Sequence, residues 1–150
     1  MSLRVAPADP RSPAALRLLR ASHAYLLSKY PAEHSFALSP DALAEPHISF
    51  FLAHDDVQAI GCGALANKGT YGELKSMFVD PKARGSGAGA AIVTAILAAA
   101  REQGLPALKI ETGDDLYPAH RLYARHGFTP CGPFGDYVEG PHSIFMERAL

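Results

Sequence analysis

The chain has 150 residues, of which 48% are hydrophobic and 19% are charged, and its net charge is −1. This length and composition predict one globular domain, residues 1–150, with a single hydrophobic core. A nearly neutral chain lacks the excess of basic residues that sequence-independent binding to nucleic acid requires, so we expect no nucleic-acid partner.

The cysteines and the apolar segments bear on metals, compartment and membranes. Cys62 and Cys131 lie far apart, and neither has the neighbours that a zinc site would need. We therefore expect no metal and no disulfide, with a reducing compartment as the default. The N-terminal residues contain no apolar segment typical of a signal peptide. The longest apolar run, residues 88–100, is too short to span a membrane, so we expect a cytoplasmic protein with no membrane partner.

The N-terminal third of the chain predicts a short strand followed by two helices. Residues 3–5 form the strand, and Ser12-Pro13 then supplies an N-cap and a proline at the first helical position. Hydrophobic residues recur at helical spacing from there to Lys29. Ser39-Pro40 repeats the start signal for a shorter helix that ends at Pro46. Residues 30–38, between the helices, are predicted to be irregular.

The rest of the chain predicts six strands and two helices. Three strands, over residues 48–53, 57–66 and 72–79, are separated by turns, and Asp80-Pro81 ends the third. A helix over about residues 87–103 ends at Gly104. A strand over 107–111, a helix over 118–126 and a final strand pair over 128–131 and 143–148 follow. The predicted order is β-α-α-β-β-β-α-β-α-β-β, a mixed α/β arrangement.

A glycine-rich loop, Arg84-Gly85-Ser86-Gly87-Ala88-Gly89, precedes the longer of these two helices. Its glycines let the backbone approach a ligand closely, because no Cβ stands in the way. The first N–H groups of the helix have no partner within the helix, and they lie at the positive end of its dipole. The guanidinium of Arg84 adds a permanent positive charge beside them. The loop therefore predicts a phosphate-binding site.

Three known phosphate-binding patterns compete for this loop. The P-loop pattern requires a Lys-Ser or Lys-Thr pair after the glycines, and none is present. The dinucleotide pattern G-x-G-x-x-G/A is met by Gly85, Gly87 and Ala90. That pattern should follow the first strand of a parallel βαβ unit, whereas this loop follows segments predicted to be antiparallel. The third pattern, [QR]-x-x-G-x-[GA], is met by Arg84, Gly87 and Gly89.

This third pattern, together with others in the same order, resembles the GNAT acetyltransferases. Residues 122–128 match the L-Y-x-x-x-G-F signature that the family carries after its fifth strand. Shorter matches to a subgroup of small bacterial enzymes lie elsewhere in the chain: Pro31-x-Glu33, Ala37-Leu38, residues 61–65, residues 111–113, Phe134-Gly135-x-Tyr137 and residues 143–147. The resemblance therefore covers roughly the whole chain.

The resemblance implies the fold and the co-substrate. The GNAT acyl-CoA N-acyltransferase fold has a central, mostly antiparallel mixed sheet flanked by helices, with strands four and five splayed apart. Acetyl-CoA would be held by the glycine loop and by backbone groups of the fourth strand, which implicates Met77, Phe78, Val79, Arg84, Gly85, Ser86, Gly87, Ala88, Gly89 and Ala90. The acetyl group would pass directly to the amine of a small molecule or to a peptide amino group. A homodimer is implied by family analogy.

The resemblance also suggests the catalytic residues. Tyr123 stands where the family places a tyrosine near the coenzyme sulfur, and a phenol that keeps its proton at neutral pH can protonate a thiolate. The alternative is a core tyrosine. Glu73 is the first candidate for the base that removes the amine proton, unless it pairs with Lys75 or is simply solvated. Glu111 is the second candidate, unless it caps a loop or pairs with Lys109.

Other residues leave alternatives open. His120, one turn before Tyr123, is either a proton relay or a surface histidine. Leu116 occupies a position where many family members carry Asn or Gln, so one cofactor contact is in doubt. Leu116 also favours the alternative function, a non-catalytic acyl-CoA-binding or sensing module of the same fold. Acidic and aromatic residues in loops suggest an acceptor pocket suited to a small cationic or amino-group substrate: Glu33, His34, Phe36, Asp136, Tyr137 and His142.

Overall fold

The computed structural model describes residues 2–150, which form one seven-stranded sheet flanked by helices. The strands are arranged across the sheet in the order β1-β2-β3-β4-β5-β7-β6. In chain order the elements are β1 (Arg4–Pro7), α1 (Pro13–Lys29), α2 (Pro40–Leu43), β2 (Ile48–His54), β3 (Ala59–Asn67), β4 (Gly72–Val79), α3 (Ala88–Glu102), β5 (Ala107–Gly113), α4 (Tyr117–Arg125), β6 (Thr129–Cys131) and β7 (Ser143–Ala149). The predicted order of helices and strands is confirmed.

Local signals in the sequence explain the starts of α1 and α2 and the end of α2. The Ser12 hydroxyl accepts a hydrogen bond from the Ala15 N–H at 3.4 Å, and the Ser39 hydroxyl accepts one from the Ala42 N–H at 3.1 Å. Both predicted N-caps are therefore present. Helix α2 ends at Leu43, shortly before Pro46, the residue predicted to end it, since the residue that precedes a proline is disfavoured in helical conformation.

The sheet opens between β4 and β5, which form its parallel strand pair. These strands are paired at Gly72 with Leu108 and at Glu73 with Lys109. On its other side, β4 stays paired with β3 as far as Val79, although the register shifts where Ser76 adopts a positive φ of 57°. This bulge bends β4 and lets its second half separate from β5. The predicted splay of the fourth and fifth strands is thus confirmed.

Two hydrophobic clusters cover the two faces of the sheet. Helix α3 contributes Ile92, Val93 and Ile96 to the first, and α1 and α2 contribute Leu18 and Leu43 to the second. Strand β2 supplies alternate residues to the two clusters: Phe51 and Ala53 to the first, Phe50 and Leu52 to the second. Since successive strand residues point to opposite faces, α3 lies on one side and α1 with α2 on the other.

Gly63 of β3 is a site where a single methyl group is expected to destabilise the fold. A Cβ there would lie 2.6 Å from both Ile92 Cγ2 and Met77 Sδ, whereas at Gly132 it would meet no heavy atom within 4 Å. Gly63→Ala is expected to lower the free energy of unfolding by about 1–3 kcal/mol through overpacking. The matched Gly132→Ala change should alter it by less than about 0.5 kcal/mol. Denaturant unfolding measures both, and equal stabilities would contradict the packing described here.

Candidate active site

A cavity of 610 Å³ opens where β4 and β5 separate. Its wall combines the inner side of α1, the middle of β4, the end of β5 and one side of α4. This wall includes the carboxylates of Glu73 and Glu111 and the phenol of Tyr123. The catalytic candidates from three different elements thus meet at one place.

Glu73 lies in the wall of the cavity, and its carboxylate is already bound by Lys75 and Tyr137. The residue is 3% exposed, and its Oε2 accepts a hydrogen bond from the Tyr137 hydroxyl at 2.6 Å and another from Lys75 Nζ at 3.2 Å. Lys75 Nζ also donates to the Tyr137 hydroxyl at 2.9 Å. The three side chains form a closed triangle that compensates the buried charge of Glu73. The pairing with Lys75 that the sequence left open is present.

Glu111, near the end of β5, has a different environment. Its Oε2 accepts a hydrogen bond from the Ser143 hydroxyl at 2.7 Å, while Lys109 pairs with Glu147 instead, at 3.3 Å. Burial raises the pKa of Glu111 above its ordinary value, and the neighbouring charge of Glu73 adds to this, against the effects of Ser143 and Lys75. Glu111 is therefore a carboxylate whose proton affinity is raised and which faces the cavity.

Tyr123 is held by the end of α4. Gly127, with a φ of +86°, ends the helix, and the Phe128 N–H donates to the Tyr123 carbonyl at 3.0 Å. The Phe128 ring then packs edge-on against Tyr123, with 5.8 Å between ring centroids. Tyr123 is 3% exposed, and burial, with a smaller effect of the Glu111 charge, raises its pKa. Tyr123 therefore keeps its proton at neutral pH and is both a core residue and part of the cavity wall.

The glycine loop lies at the start of α3. Gly85 and Gly87 have φ values of +83° and +89°, a region that glycine adopts without strain. The first hydrogen bond within α3 runs from the Ala91 N–H to the Gly87 carbonyl at 3.0 Å, so the preceding N–H groups are directed out of the helix end. The start of α3 therefore suits an anion. A second cavity of 300 Å³ lies beside Arg84, Gly85 and Ser86, and its wall also includes Lys82 and the carboxylates of Asp55 and Asp80.

Gly87 allows a test of the loop that separates ligand binding from backbone strain. Gly87→Ala should cost about 1–2 kcal/mol of stability, because alanine is strained at positive φ. It should also weaken acetyl-CoA binding about tenfold if the loop holds the pyrophosphate. Gly69, with a φ of +86° and nothing within 4 Å of an added Cβ, is the matched control. Gly69→Ala should lose similar stability and leave the dissociation constant, measured by calorimetry, unchanged. Equal affinities for the two variants would contradict the assignment of the loop.

The other predicted cofactor residues have mixed surroundings. Met77 contributes to the 610 Å³ cavity, and all three residues pack against the hydrophobic clusters, Met77 and Val79 against the first and Phe78 against the second. Their side chains serve the core, and their backbone lies on the part of β4 that is no longer paired with β5. Gly89 has a packing role, since a Cβ there would lie 3.1 Å from Leu122 Cδ2 of α4.

The remaining sequence candidates divide into two groups. Leu116, His34, Phe36 and His142 line the 610 Å³ cavity, whereas Glu33, Asp136 and Tyr137 do not. The His120 Nε2–H donates to the Gly113 carbonyl over 2.7 Å, a local bond near the start of α4.

Two polar side chains of α1 that were not predicted from the sequence, Arg20 and His23, also line the cavity. Both are exposed, and in the sequence they are part of the polar face of an amphipathic helix. Their separation of three residues, which places them on one side of the helix, is the signal that could have drawn attention to them.

Comparisons with known proteins agree with this fold. Residues 14–128 match the model of the Acetyltransferase (GNAT) family. The chain is 41% identical to an IAA acetyltransferase of Azospirillum brasilense, with 99% of both chains covered. It is 35% identical to the uncharacterized N-acetyltransferase YedL of Escherichia coli, covering 95% of this chain and 91% of the other.

Solved structures show the same similarity. A Klebsiella pneumoniae structure assigned as an acyl-CoA N-acyltransferase superposes with a TM-score of 0.83 at 27% identity, covering 99% of this chain and 97% of the other. A GNAT acetyltransferase of Elizabethkingia anophelis with acetyl-CoA bound shares the fold, with a TM-score of 0.70 at 18% identity and coverage of 99% and 98%.

The chain belongs to the GNAT acetyltransferase family. Its family and relatives identify it as an acetyl-CoA-dependent N-acetyltransferase, which confirms the activity that the ordered motifs implied. Within the described chain, none of the helices has the length and apolar character needed to cross a bilayer. Residues 2–150 also contain no group of three or more His, Cys, Asp or Glu side chains placed to hold a metal ion.

Proposed function

We propose that the 610 Å³ cavity holds both the acetyl group of acetyl-CoA and a small amine, and that Tyr123 and Glu111 move the protons during transfer. The observation that carries this proposal is the presence of a buried phenol and a carboxylate of raised pKa in the wall of one cavity. The acid must hold its proton at neutral pH, which the raised pKa of Tyr123 ensures, and the raised pKa of Glu111 makes its ionised carboxylate a stronger base than an ordinary glutamate.

Acetyl transfer forms a bond between the amine nitrogen and the acetyl carbon and breaks the bond from that carbon to sulfur. Glu111 takes the proton that the amine loses. Tyr123 donates its proton to the departing sulfur. Because burial raises the pKa of Tyr123, the phenol is still protonated when the bond to sulfur breaks. In this proposal, backbone N–H groups on the part of β4 that is not paired with β5 stabilise the charge that develops on the acetyl oxygen.

Glu73, the first candidate from the sequence, has a supporting role in this proposal. Its Oε2 is already bound to the Lys75 ammonium and the Tyr137 hydroxyl, so accepting a proton would weaken both contacts. The triangle instead links β4 to the loop that follows β6 and keeps a negative charge near Glu111. That charge helps to raise the pKa of Glu111, because two nearby carboxylates resist being ionised together.

The pyrophosphate of acetyl-CoA is proposed to lie against the glycine loop, residues 84–90, with pantetheine along Met77, Phe78 and Val79. The unpaired backbone of β4 would bind the pantetheine amides as an added strand would. Arg84 is exposed at the edge of the second cavity, where its charge can reach a phosphate.

Release of the coenzyme A thiol from acetyl-CoA, measured against a pool of primary amines, tests this function. Calorimetric binding of acetyl-CoA accompanied by thiol release supports it. Binding without release to any amine in the pool favours the non-catalytic sensing module instead. The absence of binding would remove both functions, because both require the glycine loop to hold the cofactor.

We also propose that residues 1–150 work as one cytoplasmic domain and assemble as a homodimer. These suggestions rest on family analogy. Light scattering coupled to size-exclusion chromatography measures the assembly state directly.

A further inference from the structure

The geometry points to an acceptor that carries a carboxylate beside its amine: an α-amino acid with an apolar or aromatic side chain, whose carboxylate is bound by Arg20 and His23. This inference rests on the proposed function, since it assigns the substrate class of the same cavity. Three observations carry it, namely the balance of charge in the cavity, the position of Arg20 and the nature of the remaining wall.

The first observation is that both carboxylates of the wall are already engaged. Glu73 is compensated by Lys75 and Tyr137, and Glu111 accepts a hydrogen bond from the Ser143 hydroxyl at 2.7 Å and is the proton acceptor of the proposed function. Glu33 and Asp136, the loop acids that suggested a cationic substrate, lie outside the cavity wall. No described carboxylate of the wall remains to bind a second positive group on the acceptor, which disfavours diamines and polyamines.

The second observation is a cation without a counter-ion. None of the ion pairs formed among residues 2–150 includes Arg20, although its side chain contributes to the cavity wall. His23 lies three residues further along α1, on the same side of the helix, and its imidazole can donate an N–H. A guanidinium matches a carboxylate through two parallel hydrogen bonds, which a simple amine cannot provide.

The third observation concerns the rest of the wall near Arg20. Leu16, Leu19 and Leu26 of α1 face the same cavity, and Phe36 reaches it from the loop after α1. The rings of His34 and His142 meet there edge-on, with 4.9 Å between their centroids. Apolar and aromatic surfaces of this kind favour an apolar side chain on the acceptor, with polar groups fixing its orientation.

Phenylalanine, phenylalaninamide and phenethylamine form a matched set that isolates the carboxylate. All three carry the same ring and amine, and rates of thiol release are compared at equal concentrations of free amine. Phenylalanine is expected to have a kcat/KM at least about tenfold higher than either analogue, because only it offers Arg20 a charged partner. Arg20→Gln should raise the KM for phenylalanine about tenfold with little change in kcat or in the rate with phenethylamine.

Arg101→Gln is the control, since Arg101 is exposed near the end of α3 and lies outside the cavity wall. This variant should behave as wild type toward all three compounds. Equal kcat/KM values for the three compounds, or an unchanged KM in Arg20→Gln, would overturn the inference and leave the acetyltransferase assignment intact.

A binding measurement separates the failure of this inference from failure of the proposed function. Calorimetry of phenylalanine and phenethylamine with the protein saturated in coenzyme A needs no turnover. Carboxylate-dependent binding that Arg20→Gln weakens supports the inference even if no thiol is released. Equal binding of both compounds, or binding of neither, overturns it.

Discussion

Tyr123→Phe is expected to lower kcat about a hundredfold while leaving the affinity for acetyl-CoA unchanged, because the variant loses only the proton donor. The ring can keep its packing against Phe128, which lies 5.8 Å away between centroids, so the fold should remain stable. Burial raises the pKa of Tyr123, so the phenol stays protonated across the neutral range. Initial rates of thiol release and calorimetry with acetyl-CoA measure the two quantities separately.

Tyr117→Phe is the matched control for this prediction. Tyr117 begins the same helix but is 61% exposed and lies outside the cavity wall. Its variant should keep the wild-type rate. A Tyr123→Phe protein that also keeps its rate would show that the departing sulfur takes its proton elsewhere, and Tyr123 would then be a core residue only.

Glu111→Gln is expected to reduce kcat/KM about a hundredfold, through loss of the general base. A base acts when deprotonated, so wild-type activity should fall as the pH drops through the raised pKa of Glu111, at a higher pH than for an ordinary glutamate. This acidic limb of the pH profile should disappear in Glu111→Gln and persist in Glu73→Gln. If the acidic limb instead disappears in Glu73→Gln and persists in Glu111→Gln, Glu73 is the base.

The Tm at pH 7 is expected to differ between Glu111→Gln and Glu73→Gln. Because the pKa of Glu111 is raised in the folded state, that state binds the proton more tightly than the unfolded chain does. Stability contributed by this group is therefore present at low pH and lost as the pH rises through the raised value. Glu111→Gln should thus match or exceed the wild-type Tm at pH 7. Glu73→Gln removes one partner of a buried pair with Lys75 and should lower Tm.

Those parts of the fold that depend on local signals could be predicted from the sequence. The predicted bounds of β4 agree with the structure, because turn residues flank the strand on both sides. Ser12 and Ser39 marked the starts of α1 and α2 through their capping hydroxyls. The glycine loop lies at the start of α3, and the tyrosine motif spans the end of α4, where Gly127 ends the helix. Both motifs could be placed because helix ends have local sequence signals.

The parts that depend on contacts distant in sequence could not be predicted in this way. Tyr137 binds Glu73 across 64 positions of the chain, and nothing near either residue indicates this bond. Ser76 has a positive φ of 57°, although serine carries no signal for such a conformation. Arg20 is part of the exposed face of an amphipathic helix, and only the fold shows that this face borders a cavity.

The most direct measurement for this account follows the acetyl group itself. The protein is incubated with acetyl-CoA labelled with carbon-13 in the acetyl group and with phenylalanine or a pool of primary amines, and the products are analysed by mass spectrometry. We predict one labelled acetyl group on an acceptor nitrogen for each coenzyme A thiol released, with both signals strongly reduced in Tyr123→Phe. Acetyl-CoA binding with no labelled amine in the whole pool, or thiol release accompanied only by free labelled acetate, would contradict acetyl transfer to an amine.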